Sequence, residues 1–363
     1  MALQPQPGIL EIAPYVGGES KAAGAQRVIR LASNENPLGF SAKAGEAFVE
    51  TAAQLHRYPD GGAHVLRQAI ADTEGLEKDR IVCGAGSDEL IAFLIQSYAG
   101  VGDEVLYSEH SFLMYPIGAL TNGATPVKAP EKGLKTDIDA LLAAVTDRTR
   151  LVFVANPNNP TGSYLNEDEL RRLHAGLRDD ILLVLDDAYA EYVEAPDYVT
   201  GSDLVEEFDN VVMTRTFSKI HGLASLRIGW AYCPEAVADV LNRVRGPFNV
   251  NLSAQAAGAA AIRDRAFVVS SKEHNSRWKQ WFNQQVGGLG LTVYPSEGNF
   301  VLIDFNDADK ATAAVAYLKE QGILIRAMGG YGLAHCIRVT IGTEEDMRAV
   351  VEAIERFLGT LKD

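Results

Sequence analysis

From about residue 80 onward the chain alternates short apolar, β-branched runs with longer segments whose apolar positions recur every three or four residues. The runs predict strands at 80–83, 104–107, 125–128, 151–155, 181–185, 211–215 and 228–232. The periodic segments predict helices at 88–98, 137–145 and 166–177. LVFVA at 151–155 and ILLVL at 181–185 are apolar at every position rather than at alternate ones. A strand reads that way when both of its faces are buried, as in a parallel sheet covered by helices. The expected fold is therefore α/β, with a mostly parallel sheet flanked by helices. In such sheets ligands bind beyond the carboxyl ends of the strands, which directs attention to the residues that follow each run.

The pattern changes after about residue 250. An Ala-rich helical stretch at 253–264 leads into a long charged helix, then into strands near 301–305, 323–326 and 337–341. The last segment, TEEDMRAVVEAIERFLGTL, puts Met347, Val350, Val351, Ile354 and Phe357 on one face. Thr343 and Asp346 are spaced as a capping box at its start. This part predicts a smaller α+β domain. Residues 1–35, rich in Pro, Gly and Gln, read as an arm lying on other structure. The expected division is an arm at 1–35, a large domain at 36–250 and a small domain at 251–363.

With 363 residues the chain is long enough for about two domains with cores of their own. Its 33 Lys+Arg against 48 Asp+Glu give a net charge of −15. That balance opposes general binding to nucleic acid or an anionic membrane, yet leaves room for local anion sites. Cys83, Cys233 and Cys336 are far apart, with no C-x-x-C pair, so neither a disulfide framework nor a zinc cluster is expected. The N-terminus lacks the basic and apolar regions of a secretory signal, and the apolar runs are too short to span a bilayer. A cytoplasmic enzyme is the expectation.

Four segments carry candidate chemistry. In CGAGSDEL at 83–90 a strand runs through glycines into a helix start, where free N–H groups bind phosphate; the same residues also make an ordinary capped helix. VANPNNPTG at 154–162 is an irregular loop at a strand end, and a plain turn uses the same residues. In LVLDDAYAEY, Asp186 follows an apolar run, where a carboxylate is costly without a cation or strong donor. Tyr189 can share its crevice, and Asp187 can serve as a helix cap. In TRTFSKIHGLASLRIGW, Lys219 stands near Thr216, Ser218 and Arg227. A lone lysine is ordinarily a solvated surface residue, whereas one partly buried among cations becomes a nucleophile toward carbonyls.

Together these segments resemble the pyridoxal-phosphate enzymes of the aspartate-aminotransferase type (fold type I), and most closely the histidinol-phosphate aminotransferase family. The resemblance runs over nearly the whole chain. It takes in APY at 13–15, LASNENPLG at 31–39, YPDG at 58–61, GSDEL at 86–90, SFLMY at 111–115 and NPNNPTG at 156–162. DDAYAEY, TFSKIHGLASLRIG, EGNF at 297–300 and YGLAHCIRVTIGT at 331–343 follow in the same order.

The resemblance implies pyridoxal 5'-phosphate as cofactor. It makes Lys219 the lysine that holds the cofactor covalently and acts as general acid and base. Asp186 would pair with the pyridine nitrogen, Tyr189 and Asn159 would hydrogen-bond the phenolic oxygen, and Phe112 would stack on the ring. Gly86, Ser87, Asp88, Thr216, Ser218 and Arg227 would hold the phosphate. Tyr58 would reach it from a second subunit, which implies a homodimer with shared sites. For substrate, Arg338 matches the carboxylate-binding arginine and Arg326 the position that meets the substrate phosphate; Tyr15 and Asn34 would close over the pocket. The family's usual Asp-Glu before Ala-Tyr is Asp186-Asp187 here, and AMGGYGL between the two arginines brings no further cation. The implied reaction moves an amino group between histidinol phosphate and 2-oxoglutarate, with small-molecule partners and neither nucleic acid nor membrane involved. An aromatic amino acid aminotransferase and a threonine-phosphate decarboxylase-like enzyme share this pattern.

Overall fold

The computed structural model describes residues 3–14, 17–18 and 27–361. A seven-stranded sheet forms its centre: β1 (Ile81–Gly84), β2 (Glu104–Ser108), β3 (Thr125–Ala129), β4 (Thr149–Ala155), β5 (Leu182–Asp186), β6 (Val211–Thr216) and β7 (Gly229–Tyr232). The spatial order is β1-β7-β6-β5-β4-β2-β3. Strands β2 to β6 pair in parallel, and β7 runs antiparallel to both of its neighbours. The uniformly apolar runs behave as expected: β4 is buried almost throughout and β5 throughout. One core lies on each side of this sheet, Leu66, Val152, Leu183, Met213 and Ile228 among the residues of one, Ile91, Phe153, Val184 and Ala231 among those of the other. The Ala-rich helix, Leu252–Arg263, packs its Ala254, Ala257 and Ala261 in the first of these cores.

A second sheet of four antiparallel strands has the order β8-β9-β11-β10, where β8 is Thr292–Tyr294, β9 Phe300–Asp304, β10 Arg326–Ala327 and β11 Cys336–Thr340. Its core joins Val301, Ile303, Ile337 and Val339 to Met347, Val350, Ile354 and Phe357 of the helix Glu344–Thr360. That helix begins with the expected capping box between Thr343 and Asp346. Val351 is only partly buried, at the rim of this core. The single strand predicted at 323–326 is two: Ile323–Leu324 pairs in parallel with Ile29–Arg30, whereas Arg326 turns to pair with β11. Through this pairing residues 29–31 belong to the second core, with Ile29 and Leu31 buried in it. Helices at Ala42–Glu50, His64–Glu74, Met114–Thr121 and Ala308–Glu320 were not legible in the sequence pattern. Among the described residues no helix is long and apolar enough to cross a membrane.

Candidate active site

A cavity of about 220 Å³ opens where the carboxyl ends of β4, β5 and β6 face the second sheet. Its lining includes Asn34, Ser87, Asp88, Phe112, Asn159, Asp186, Tyr189, Thr216, Ser218, Lys219, Arg227, Arg326 and Arg338. Residues spread over three hundred positions of sequence thus meet in one crevice. The parallel pairing of β4 and β5 aligns Ala155 with Asp186, and that of β5 and β6 aligns Asp186 with Thr214. The loops that follow these strands therefore emerge side by side.

One end of the cavity is built to take an anion. The helix Ser87–Tyr98 starts here, and its cap residue Gly86 makes no side-chain cap hydrogen bond, which leaves N–H donors at a helix start. Gly86 has φ +90°, and a Cβ there would lie 2.4 Å from Arg227 Nη2. Arg227, itself at φ 50°, donates to Ser218 Oγ at 3.2 Å and to the Asp88 carboxylate at 3.2 Å. Thr216 Oγ1 accepts the Ser218 N–H at 3.1 Å. Hydroxyls, a guanidinium and a helix start thus converge on one small volume.

Asp186 lies on the floor, 4% exposed. Burial pushes its carboxyl up to about 6, against the hydrogen bonds that favour its charged form. One oxygen accepts from the Tyr115 hydroxyl at 2.8 Å and the other from Thr214 at 3.2 Å. Asp187 is turned away: it accepts the Gly201 N–H at 2.6 Å, next to the start of the helix Gly201–Glu207. Lys219 Nζ donates to the Ser33 carbonyl at 3.1 Å and lies 5.7 Å from the centre of the Tyr189 ring. Burial, reinforced by Arg338 and Arg227, lowers its ammonium to about 8, while Asp88 and Glu35 pull the other way. A neutral fraction far above that of an ordinary lysine makes such an amine usable as a nucleophile or base.

The opposite wall belongs to the second sheet. Arg326 and Arg338 are register partners on β10 and β11, so their side chains leave the same face of the sheet. Arg338 is buried; it donates to Asn159 Oδ1 and, at 2.8 Å, to the Ala32 carbonyl, with its guanidinium 5.3 Å from the Phe300 ring centre. Asn34, at φ 55°, donates to the Tyr189 hydroxyl at 2.8 Å and through its backbone N–H to Thr340 Oγ1 at 3.0 Å. Asn299 donates to the Asn34 carbonyl at 3.1 Å, so the 32–35 segment is tied down from both sheets.

Tyr58 is not in this cavity. It is 82% exposed and stacks on Phe248 at 4.7 Å. Tyr15 lies outside the described residues. Residues that sequence reasoning missed are Tyr115, Thr214, Ser33, Thr340 and Tyr331, the last lining the cavity. Tyr115 sits in the SFLMY segment, but nothing in the sequence indicates that its hydroxyl reaches a carboxylate 71 positions away.

Known proteins with this arrangement decide the family. The model of the aminotransferase class I and II family matches residues 26–354. Histidinol-phosphate aminotransferases of Paramagnetospirillum magneticum and Rhodospirillum centenum are 58% and 57% identical, with 98% of each chain covered. The chain belongs to the histidinol-phosphate aminotransferase family. The crystal structure of the Sinorhizobium meliloti histidinol-phosphate aminotransferase, in complex with pyridoxal-5'-phosphate, superposes with a TM-score of 0.91 at 28% identity over 99% of both chains. Aspartate aminotransferase of Thermus thermophilus, solved with maleate, gives a TM-score of 0.81 at 22% identity, covering 91% of this chain and 92% of that one, a likeness of fold.

Proposed function

We propose that this family member is a cytoplasmic, pyridoxal-phosphate-dependent aminotransferase that exchanges histidinol phosphate and 2-oxoglutarate for imidazole-acetol phosphate and glutamate in histidine biosynthesis. The observation that carries the reading is the facing of two walls: a lysine, a buried carboxylate and an anion cradle on one, two register-paired arginines on the other. The cofactor fits the first wall. The uncapped helix start with Ser87, Asp88, Thr216, Ser218 and Arg227 suits its phosphate, and Gly86, without a Cβ, lets the Arg227 guanidinium approach that helix start. Phe112 is a ring-stacking surface at the cavity edge, and Asp186 is the acceptor for a protonated ring nitrogen.

When bound, the cofactor supplies an electron sink for the pair left by breaking the substrate Cα–H bond. The chain's own residues do the rest. Lys219 Nζ, lowered to about 8, takes the proton from the substrate carbon and returns it. Tyr189 and Asn159 hold the cofactor's phenolic oxygen. Arg338 offers a planar fork to a carboxylate and Arg326 a second cation to the phosphate of the larger substrate or the distal carboxylate of the smaller. Asn34 and the 32–35 segment keep water from this side of the cavity.

The active unit is a homodimer in which Tyr58 of each chain completes the phosphate cradle of the other. In support, Phe40, Phe48 and Val49 are exposed around an apolar groove of about 400 Å³ that also includes Leu223 and Leu226, beside the Lys219–Arg227 loop.

Two measurements test this reading. Purified protein is expected to absorb in the visible, and Lys219→Ala to lose both the band and the activity. The ratio of kcat/KM for histidinol phosphate over phenylalanine is expected to exceed tenfold. A colourless protein indifferent to added cofactor refutes the reaction class; no preference for histidinol phosphate refutes the substrate.

A further inference from the structure

We infer that Tyr115 is a positioning residue for Asp186, fixing the direction of the carboxylate that meets the cofactor ring and sustaining its charge. The inference rests on the reading of Asp186 given above. Tyr115 is fully buried on the helix Met114–Thr121. Its ring stacks on Phe153 at 4.6 Å and meets Phe112 edge-on at 5.9 Å, so the hydroxyl has little freedom of placement. From there it donates to one Asp186 oxygen at 2.8 Å, while Thr214 donates to the other at 3.2 Å. The same tyrosine thus touches the carboxylate that would pair with the ring nitrogen and the aromatic side chain that would stack on the ring.

Toward Asp186 the hydroxyl is the donor, since burial and Asp186 hold its own proton well above the ordinary tyrosine range. A hydrogen bond to a carboxylate favours the charged form. Here it opposes burial, which drives Asp186 toward protonation, and the Asp88 carboxylate on the neighbouring helix, which acts in the same sense as burial. Asp187 and Tyr189 lie on the same loop, where burial raises them to about 8 and about 12 and so favours their neutral forms, and Lys219 and Arg227 face the cavity from the adjoining segment. Without the Tyr115 hydroxyl, Asp186 would take a proton at higher pH and would lose one of the groups that aim it.

The test is a titration of cofactor-free wild type and Tyr115→Phe with pyridoxal phosphate at pH 6.5, 7.5 and 8.5, read by tryptophan fluorescence. The Phe ring keeps the stacking, so the melting temperature of the apo protein should change little. The Kd ratio of variant to wild type is expected to be on the order of tenfold at pH 6.5 and to shrink toward one at pH 8.5. On an Asp186→Asn background the same substitution should add less than twofold, because the group it acts through is gone. Thr214→Val is expected to give the same trend with a smaller ratio. A ratio independent of pH, or one that persists on the Asn background, assigns Tyr115 to packing alone and overturns the inference. A wild type that takes up no pyridoxal phosphate overturns the reading of the site itself.

Discussion

Gly229 offers the sharpest test of how the fold holds the anion cradle. It lies on β7 between Gly84 of β1 and Thr216 of β6, its register partners on either side. A Cβ at this position would lie 2.5 Å from the Ser87 nitrogen, 2.7 Å from the Gly86 carbonyl carbon and 2.8 Å from the Arg215 carbonyl oxygen. All three are backbone atoms, so no side chain can rotate away. Restoring ordinary contact at 3.4 Å requires a displacement of about 0.9 Å at the Ser87 nitrogen. Gly229→Ala must therefore move the 86–87 turn, open the β7–β6 ladder, or both. Overpacking of this kind costs about 1–3 kcal/mol. A displacement near 1 Å also takes the helix-start N–H groups out of line with the anion they would bind. The expected outcome is a lowered urea midpoint together with a Kd for pyridoxal phosphate raised at least tenfold. Both are measured on the same preparation, by circular dichroism and by fluorescence titration. Wild-type values for stability and affinity together would refute the proposed close approach of strand and helix start. Loss of stability with unchanged affinity would show that the ladder, and not the turn, yields.

Other expectations follow from the charged groups. Because burial and the nearby arginines lower Lys219 to about 8, its neutral fraction rises with pH and saturates above that value. Covalent uptake of pyridoxal phosphate by the apo chain should follow the same curve, in stopped-flow absorbance; a rate still climbing at pH 10 would contradict the lowered value. Arg326→Ala should raise KM for histidinol phosphate on the order of tenfold or more, and that for glutamate as well; an unchanged KM for histidinol phosphate would remove its assignment to phosphate. Arg215 is buried 2.9 Å from Glu74 and 3.6 Å from Glu191, with Trp230 beneath its guanidinium. Arg215→Ala leaves buried Glu191 without its cation and Glu74 with Arg265 alone, and should cost about 3–5 kcal/mol in urea unfolding at pH 8. The loss should shrink at lower pH, where Glu191, raised by burial, takes a proton; a loss that grows on acidification would refute the ion-pair account.

Much of the large sheet was legible because its strands bury both faces, which leaves an apolar run that no surface segment needs. Strand ends fall within about two residues of expectation, since a hydrophobic run marks burial and not the last ladder hydrogen bond. The helices Ala42–Glu50 and Met114–Thr121 were missed for a local reason. The first leaves Phe48 and Val49 exposed and the second carries Pro116 and Gly118, so neither shows a clean apolar stripe. At 323–326 the pattern fails differently. One apolar run serves two sheets, and Ile325 separates residues that pair with the 29–31 segment from the one that pairs with β11.

The sequence by itself determined the residue types of the candidate site, because a carboxylate after an apolar strand and a lysine among hydroxyls are local patterns that survive reading in one dimension, and the order of its motifs carried the resemblance to the family. Which of those residues meet was decided only in three dimensions. Arg326 and Arg338 are twelve positions apart in sequence, and antiparallel register sets them opposite one another. Tyr115 reaches Asp186 because parallel strands carry their following loops to the same edge. Gly229 is an ordinary strand glycine until a helix start from another part of the chain arrives 2.5 Å from where its Cβ would be. Hydrophobic pattern specifies which face is buried; register and packing, which no local pattern encodes, specify what it is buried against.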